Sequence, residues 1–587
     1  MKKNRLLALA AASVFALAGC SSNNNTEGGS SVEDNQAVES VSTETAPVEG
    51  SLKDGTYTAS GQGFDGDVNI TAEIKDGQIA SIKADENKES PEVFDRAFPI
   101  IEERVVESQS ANFDTVTSAT FTSNAVKNAM NDIIVQAGGQ EEELNLDFSQ
   151  DPAGENEAED VTTDLVVVGG GPAGLSAAIE AKNKGIENVI LVEKLDILSG
   201  NGKFDMNFFD MPNSKAMKDN GVEVSKEEFL EMKEGAWDSE ARKEAWVDKA
   251  WDLDQWLRDM GVELNFNYGG EKGMSHMAEE DQYSGDVIQH GLEKKVNELG
   301  VDVRTGTMGY DLIFDGDDLK GVAVRDKDNN YNIMEDAVVI ATGGFSNNKD
   351  LLEEYLPGTE KIINSNSMGA TGDFIGVAKD HDIKLDHMDE QVVFKLGLSK
   401  NRMLTGAGDG FILVNEEGKR FVDESEGGLE MGLTLKENSP VYYIYDQRLY
   451  DSMYRPKKHV ELGYHVEADS VEELAEKLGI PADALQASID QYNKGVEGEE
   501  KDPIREEPSE FTIDTNGKLY GAQVESVQHM TKGGIVANEK AEVQNNAGQV
   551  IPGLYVAGEA SDTAAAYSGA VVFGRISGES AAAYINK

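Results

Sequence analysis

The strongest constraint on the fold lies between residues 164 and 193. DLVVV (164–168) reads as a fully buried strand. GGGPAG follows at once and opens an alanine-rich helix, LSAAIEAKNKG; then comes a second short strand, VILV, ending at Glu193. Strand, glycine turn, helix, strand and acid in this order specify a parallel βαβ unit shaped to hold a dinucleotide. Gly169 makes the tight turn and Gly171 lets the backbone meet a pyrophosphate. Ala173 and Gly174 start the helix, Gly174 allowing it to lie close on the strand. Glu193 stands where a carboxylate accepts ribose hydroxyls. A lone GxGxxG is weak evidence, whereas the complete arrangement is specific.

Further segments follow in a recognisable order. SGNGKFD carries Asn201 and Gly202, DAVVIATGGFS carries Gly343 and Gly344, and GATGDF carries Asp373. VIPGLYVAGEASD carries Glu559, and AYSGAVV carries Ala570 and Val571. With ILVNEEGKRFVDE at 412–424, these resemble the fumarate reductase and flavocytochrome c superfamily, which includes urocanate reductases and, more distantly, ketosteroid dehydrogenases. The resemblance implies that all of these positions contact a non-covalent FAD rather than NAD. It also implies a mobile cap inserted into the FAD domain.

A smaller unit precedes this one. Short alternating segments punctuated by Asp-Gly pairs predict hairpins; helices are expected around 94–108 and from Ser123 to Gln136. The apolar spacing of Val126, Met130 and Ile133 supports the second helix, with Ser123 as its cap. Just before it lies DTVTSATFTS (114–123). A hydroxyl beside a helix start suits a phosphate. The segment resembles the flavinylation motif of FMN-binding domains in sodium-pumping quinone reductases. That implies FMN held covalently as a phosphoester on Thr122, with Ser118 standing where the family often has Gly.

The expected fold class is therefore α/β: an FAD-binding Rossmann-like domain interrupted by an α+β capping domain and preceded by a small α+β FMN-binding domain. The expected boundaries are a signal peptide at 1–20, a flexible tether at 21–50 and the FMN domain at 51–139. An acidic linker at 140–160 follows, then the FAD domain at 161–388 and 529–587 around a cap at 389–528.

The first twenty residues have a basic start, a short apolar run and the sequence LAGC, which resembles a bacterial lipobox with Cys20 as the lipidated residue. Cys20 is the only cysteine among 587 residues, so no intramolecular disulfide is available, and no C-x-x-C-H haem motif occurs. The expectation is an extracytoplasmic protein held to the membrane by lipid. A formal net charge of −57 argues against nucleic acid as a partner.

The resemblance implies reduction of an activated C=C bond in a small-molecule alkene, with electrons from a membrane donor passing through FMN to FAD. Fumarate fits poorly: the family's proton-donating arginine falls on Gly428, a carboxylate-holding histidine on Phe394, and the NRLGGN segment is missing. This reading expects a rather apolar cap. Tyr567, His529, Tyr283 and His276 are its polar candidates, the first three as catalytic groups. Tyr567, followed by Ser568 and Gly569, is similar to the ketone-polarising tyrosine of ketosteroid dehydrogenases, which would suit an enone such as a 3-oxosteroid. A urocanate- or cinnamate-type acid is the alternative, as is an electron-transfer lipoprotein without its own substrate.

Overall fold

The computed structural model describes residues 52–587, apart from short stretches at 65, 90, 145, 147–151, 199, 204–208, 232–238, 270–273, 281, 283, 399–402, 407, 453 and 562–565. The signal segment, Cys20, the 21–50 tether and Tyr283 lie outside the described residues. Among the described residues, no helix is long and apolar enough to cross a membrane.

At the N-terminus, strands Gly55–Gln62, Asp67–Lys75 and Gln78–Ala84 form an antiparallel meander. The middle strand buries alternate residues, Val68, Ile70, Ala72 and Ile74, as the two-residue strand period requires. Helices Pro91–Ser108 and Thr120–Gln136 cover that face. The second helix starts three residues before its expected position, so Ser123 is not its cap. Instead Ser123 Oγ accepts from the Val116 amide at 3.1 Å and tightens the preceding turn from inside the helix. Ser118 adopts φ +67, in the left-handed region, which accounts for the family's glycine there.

The large unit is built on a six-stranded sheet in the order 302–304, 189–192, 165–168, 337–340, 550–556, 542–544. The first five strands are parallel and the last is antiparallel. Both faces are buried. Leu165, Val167, Leu191 and Val339 pack against helices Pro172–Asn183 and Tyr567–Ile585. Val166, Val168, Val192 and Ile340 face the antiparallel sheet 308–334 and helix Asp373–Asp380. The 140–160 segment is not wholly a linker, because Asn156–Glu157 and Val161–Thr162 pair in parallel with strand Asn329–Met334.

The cap is a second sheet centred on the long strand Leu519–Thr531, flanked by Gln391–Leu398 and Val441–Asp446. The strand runs past the expected boundary at 528. Its last residue, Thr531, donates from its backbone amide to Glu559 at 3.0 Å, which ties the cap sheet to the FAD domain.

Candidate functional site

The glycine turn is shaped by close approach. A Cβ on Gly174 would lie 1.9 Å from the Gly169 carbonyl oxygen, so only glycine lets the helix start here. A Cβ on Gly171 would meet nothing nearer than Gly200 Cα at 3.6 Å. Open space therefore stands before a twelve-residue helix whose N-cap, Gly171, has no side-chain hydrogen bond. Unpaired amides and the helix dipole favour an anion there. Glu193 lies at the end of its strand and accepts from the amides of Gly170 at 2.7 Å and Leu195 at 2.9 Å.

A cavity of about 450 Å³ runs from this turn to the cap. Gly169, Gly171, Ala173, Glu193, Asn201, Gly202, Gly343, Asp373, Glu559 and Ala570 line it. Asn201 donates to Asn366 Oδ1 at 2.7 Å and to Glu559 Oε2 at 3.2 Å, and accepts from the Ser367 amide at 2.7 Å. Burial pushes Glu559 up to about 7, against hydrogen bonds from Thr531 and Asn201. Asp373 pairs with Lys194 at 2.8 Å. Gly344 sits behind the cavity, where a Cβ would lie 2.2 Å from Thr531 Oγ1. Val571 differs from expectation: one residue beyond Ala570 on the helix, it turns into the hydrophobic core and is fully buried there. A long pocket with open space at a helix start, and with a buried Ser367 hydroxyl lacking any protein partner, fits a dinucleotide.

In the N-terminal domain, Thr122 is 3% exposed and its hydroxyl donates to Glu89 Oε2 at 2.5 Å. Glu89 Oε1 accepts from the Phe64 amide at 2.7 Å. The neighbouring Phe121 is half exposed and lies 5.2 Å from Phe64, ring to ring. A hydroxyl beside an aromatic pair with one exposed ring suits a phosphorylated flat ring system.

Three sequence expectations need revising. Tyr567 lines the cavity, but its hydroxyl donates to the Gly285 carbonyl at 3.2 Å and its ring packs edge-on against Phe209. The phenol is thus committed to a buried backbone acceptor rather than to a substrate ketone. His276 is fully buried and hydrogen-bonded to Ser214 Oγ and the Met274 carbonyl, and burial lowers its basicity, so it is a structural histidine. The cap end of the cavity is not simply apolar. Beside Val392, Phe394 and Leu404 stand His529, Arg455 and Lys532.

His529 bonds Ser365 Oγ through Nδ1 at 2.8 Å, and its ring stands edge-on to Phe394 at 5.1 Å. Burial pushes its imidazole down to about 4, with a smaller contribution from the Arg455 charge. It is neutral near pH 7. Gly428, at φ +77, faces open space in place of an arginine. Arg455 was missed because nothing in the local run YRPKKH carries a motif. The one available signal was a basic cluster in a strongly acidic chain.

Residues 164–573 match the FAD binding domain family, and residues 63–135 match the FMN-binding domain family. The chain belongs to this FAD-binding family. The flavoprotein therefore joins FAD-binding and FMN-binding domains in one polypeptide. It is 32% identical to a cytochrome-type fumarate reductase of Shewanella frigidimarina, over 76% of this chain and 81% of that protein. It is 26% identical to an NADH:acrylate oxidoreductase of Vibrio harveyi over 90% of this chain, but spans only 61% of that protein's length. The open conformation of a flavocytochrome c3 fumarate reductase superposes with a TM-score of 0.65 at 27% identity, covering 73% of this chain and 79% of that one.

Proposed function

We propose that the flavoprotein reduces an activated C=C bond, with electrons passing from FMN to FAD to the alkene. The observation that carries this reading is the single cavity joining the dinucleotide turn to the residues of the cap. A pure electron carrier has no need of a chamber beyond its cofactor. When bound, FAD supplies a hydride to one alkene carbon and FMN relays electrons to it. The chain's own residues do the rest. Val392, Phe394 and Leu404 give the cap end an apolar lining that a bound alkene would cover. In the tautomer whose Nδ1 accepts from the Ser365 hydroxyl, neutral His529 would offer an Nε2–H to the group that activates the alkene. Gly428 and Phe394, in place of the family's cationic groups, speak against a dicarboxylate.

FMN is proposed to be esterified to Thr122, and Cys20 to carry a lipid that holds the protein on the outer face of the membrane near its electron donor. Supporting these are the motif DTVTSATFTS and the sequence LAGC.

The test is anaerobic reoxidation of the dithionite-reduced holoprotein by a panel of enones and acrylic acids, followed by denaturation. One acceptor or more should bleach the reduced flavin, and one flavin equivalent should stay on the wild-type polypeptide but none on Thr122→Ala. An inert panel would leave the electron-carrier reading, and flavin retained by Thr122→Ala would remove the ester.

A further inference from the structure

We infer that Glu89 is the base that takes the hydroxyl proton of Thr122 when the flavin ester forms, so that the FMN-binding domain takes part in its own loading. The inference rests on the proposed ester at Thr122 and goes beyond it by naming the group that activates the hydroxyl.

A threonine hydroxyl is a weak nucleophile until a neighbouring base draws off its proton. In this domain that proton already has a direction. Thr122 Oγ1 donates to Glu89 Oε2 at 2.5 Å, the length of a charge-assisted bond, although the two residues are 33 positions apart. Both are buried, so the contact is not a chance meeting of mobile surface side chains. The carboxylate is also held on its other sides. Glu89 Oε1 accepts from the Phe64 amide at 2.7 Å, and the Glu89 amide donates to Asn87 Oδ1 at 3.0 Å. A Cβ on Gly63 would lie 2.5 Å from Glu89 Oε1, so glycine there leaves the carboxylate its place.

The chemistry sets the donor. Esterifying FMN itself would have to expel water, whereas a flavin dinucleotide carries a leaving group. Thr122 Oγ1 forms the new bond to the phosphorus that bears the flavin side chain, and the P–O bond of the pyrophosphate breaks. Adenosine monophosphate leaves with that oxygen and the electron pair, and the hydroxyl proton passes to Glu89 Oε2. No electrons are gained or lost. Thr122 belongs to the first turn of helix Thr120–Gln136, whose N-cap Ala119 offers no side-chain bond, and the neighbouring Phe121 is half exposed. The phosphoryl group therefore approaches from the Phe121 side, towards a helix start that favours an anion. A carboxylate beside a phosphate would ordinarily repel it. Here the proton transfer removes that charge, and the neutral Glu89 carboxyl can donate to the ester it has helped to form.

The experiment follows loading of the full chain after induction in a host, for wild type, Glu89→Gln, Glu89→Asp, Thr122→Ala and Glu86→Gln. Flavin that survives denaturation is read at intervals as fluorescence per polypeptide, and amide exchange across helix Thr120–Gln136 reports the fold. Glutamine keeps the volume and both contacts, its Oε1 accepting from the Phe64 amide and its Nε2 donating to Thr122 Oγ1, but leaves the hydroxyl proton without an acceptor. Glu89→Gln is expected to slow loading by about a hundredfold with exchange unchanged. Glu86 is exposed, and Glu86→Gln should load as wild type does. Loading of Glu89→Gln within about twofold of wild type would overturn the assignment, as would an equal loss in Glu86→Gln. Should Glu89→Gln also loosen the helix, Glu89→Asp decides: faster loading than Glu89→Gln supports a base, and loading no faster overturns it. Wild type without retained flavin, or Thr122→Ala with it, would sink the ester at Thr122 instead.

Discussion

Asp196 joins the two cofactor domains, and its removal should loosen their docking. The residue lies three positions after Glu193 on a loop with two working faces. Leu195 lines the FAD-domain cavity, while Ile197 is buried within the hydrophobic core of the FMN-binding domain. Asp196 Oδ2 accepts from the Thr117 amide at 2.8 Å and from the Thr117 hydroxyl at 3.0 Å, both within the flavinylation-like segment. Its Oδ1 pairs with Arg104 at 2.9 Å, with about a quarter of the arginine side chain exposed. Hydrogen bonds to a charged group contribute about 1.5 kcal/mol each, and a partly exposed ion pair adds up to about 1 kcal/mol. Asp196→Ala should thus weaken docking by about 3 kcal/mol, roughly a hundredfold in the closed-to-open ratio. The ion pairs of Arg96 with Asp286 and Glu293 also cross between the domains and remain, so docking is weakened and not abolished. Amide exchange at 114–118 and 194–198 should accelerate by about two orders of magnitude in the ligand-free protein. In the holoprotein, stopped-flow transfer from FMN to FAD should slow while each flavin still reduces separately. Exchange within about twofold of wild type would refute the reasoning, because Ile197 and the backbone bond from residue 196 to Thr117 would then hold the loop without the carboxylate.

Two further predictions concern stability. Ser118→Gly should raise the melting temperature of the FMN-binding domain, since a serine at φ +67 costs about 1 kcal/mol and its buried hydroxyl has no partner; an unchanged melt by calorimetry would count against strain at this turn. Arg420 pairs with Glu424 through two nitrogens, at 2.8 and 2.9 Å, and with Asp502 at 2.9 Å, all three side chains nearly sealed from solvent. Arg420→Ala leaves two buried carboxylates uncompensated and should destabilise the cap by about 3–5 kcal/mol in urea unfolding, whereas a loss below about 1 kcal/mol would show that water reaches the cluster.

What the sequence by itself determined was everything written in local spacing. The glycine turn, its flanking strands and the acid at 193 lie within thirty residues, and their chemistry follows from backbone geometry that neighbouring residues impose. The same holds for the hairpins and for the helix that begins within DTVTSATFTS. Only the tertiary structure decided where side chains from distant segments meet. Tyr567 looked like a donor to substrate until the start of its helix aimed the hydroxyl at Gly285, 282 residues away in the chain. Arg455 lines the cavity because the helix Tyr454–Glu461 packs at the cap end, where His459 on its next turn bonds Thr405 from a distant loop. Asp196 became a junction because Thr117 and Arg104 arrive from another domain. Side-chain direction and burial come from long-range packing, and a linear pattern of residues carries no record of them.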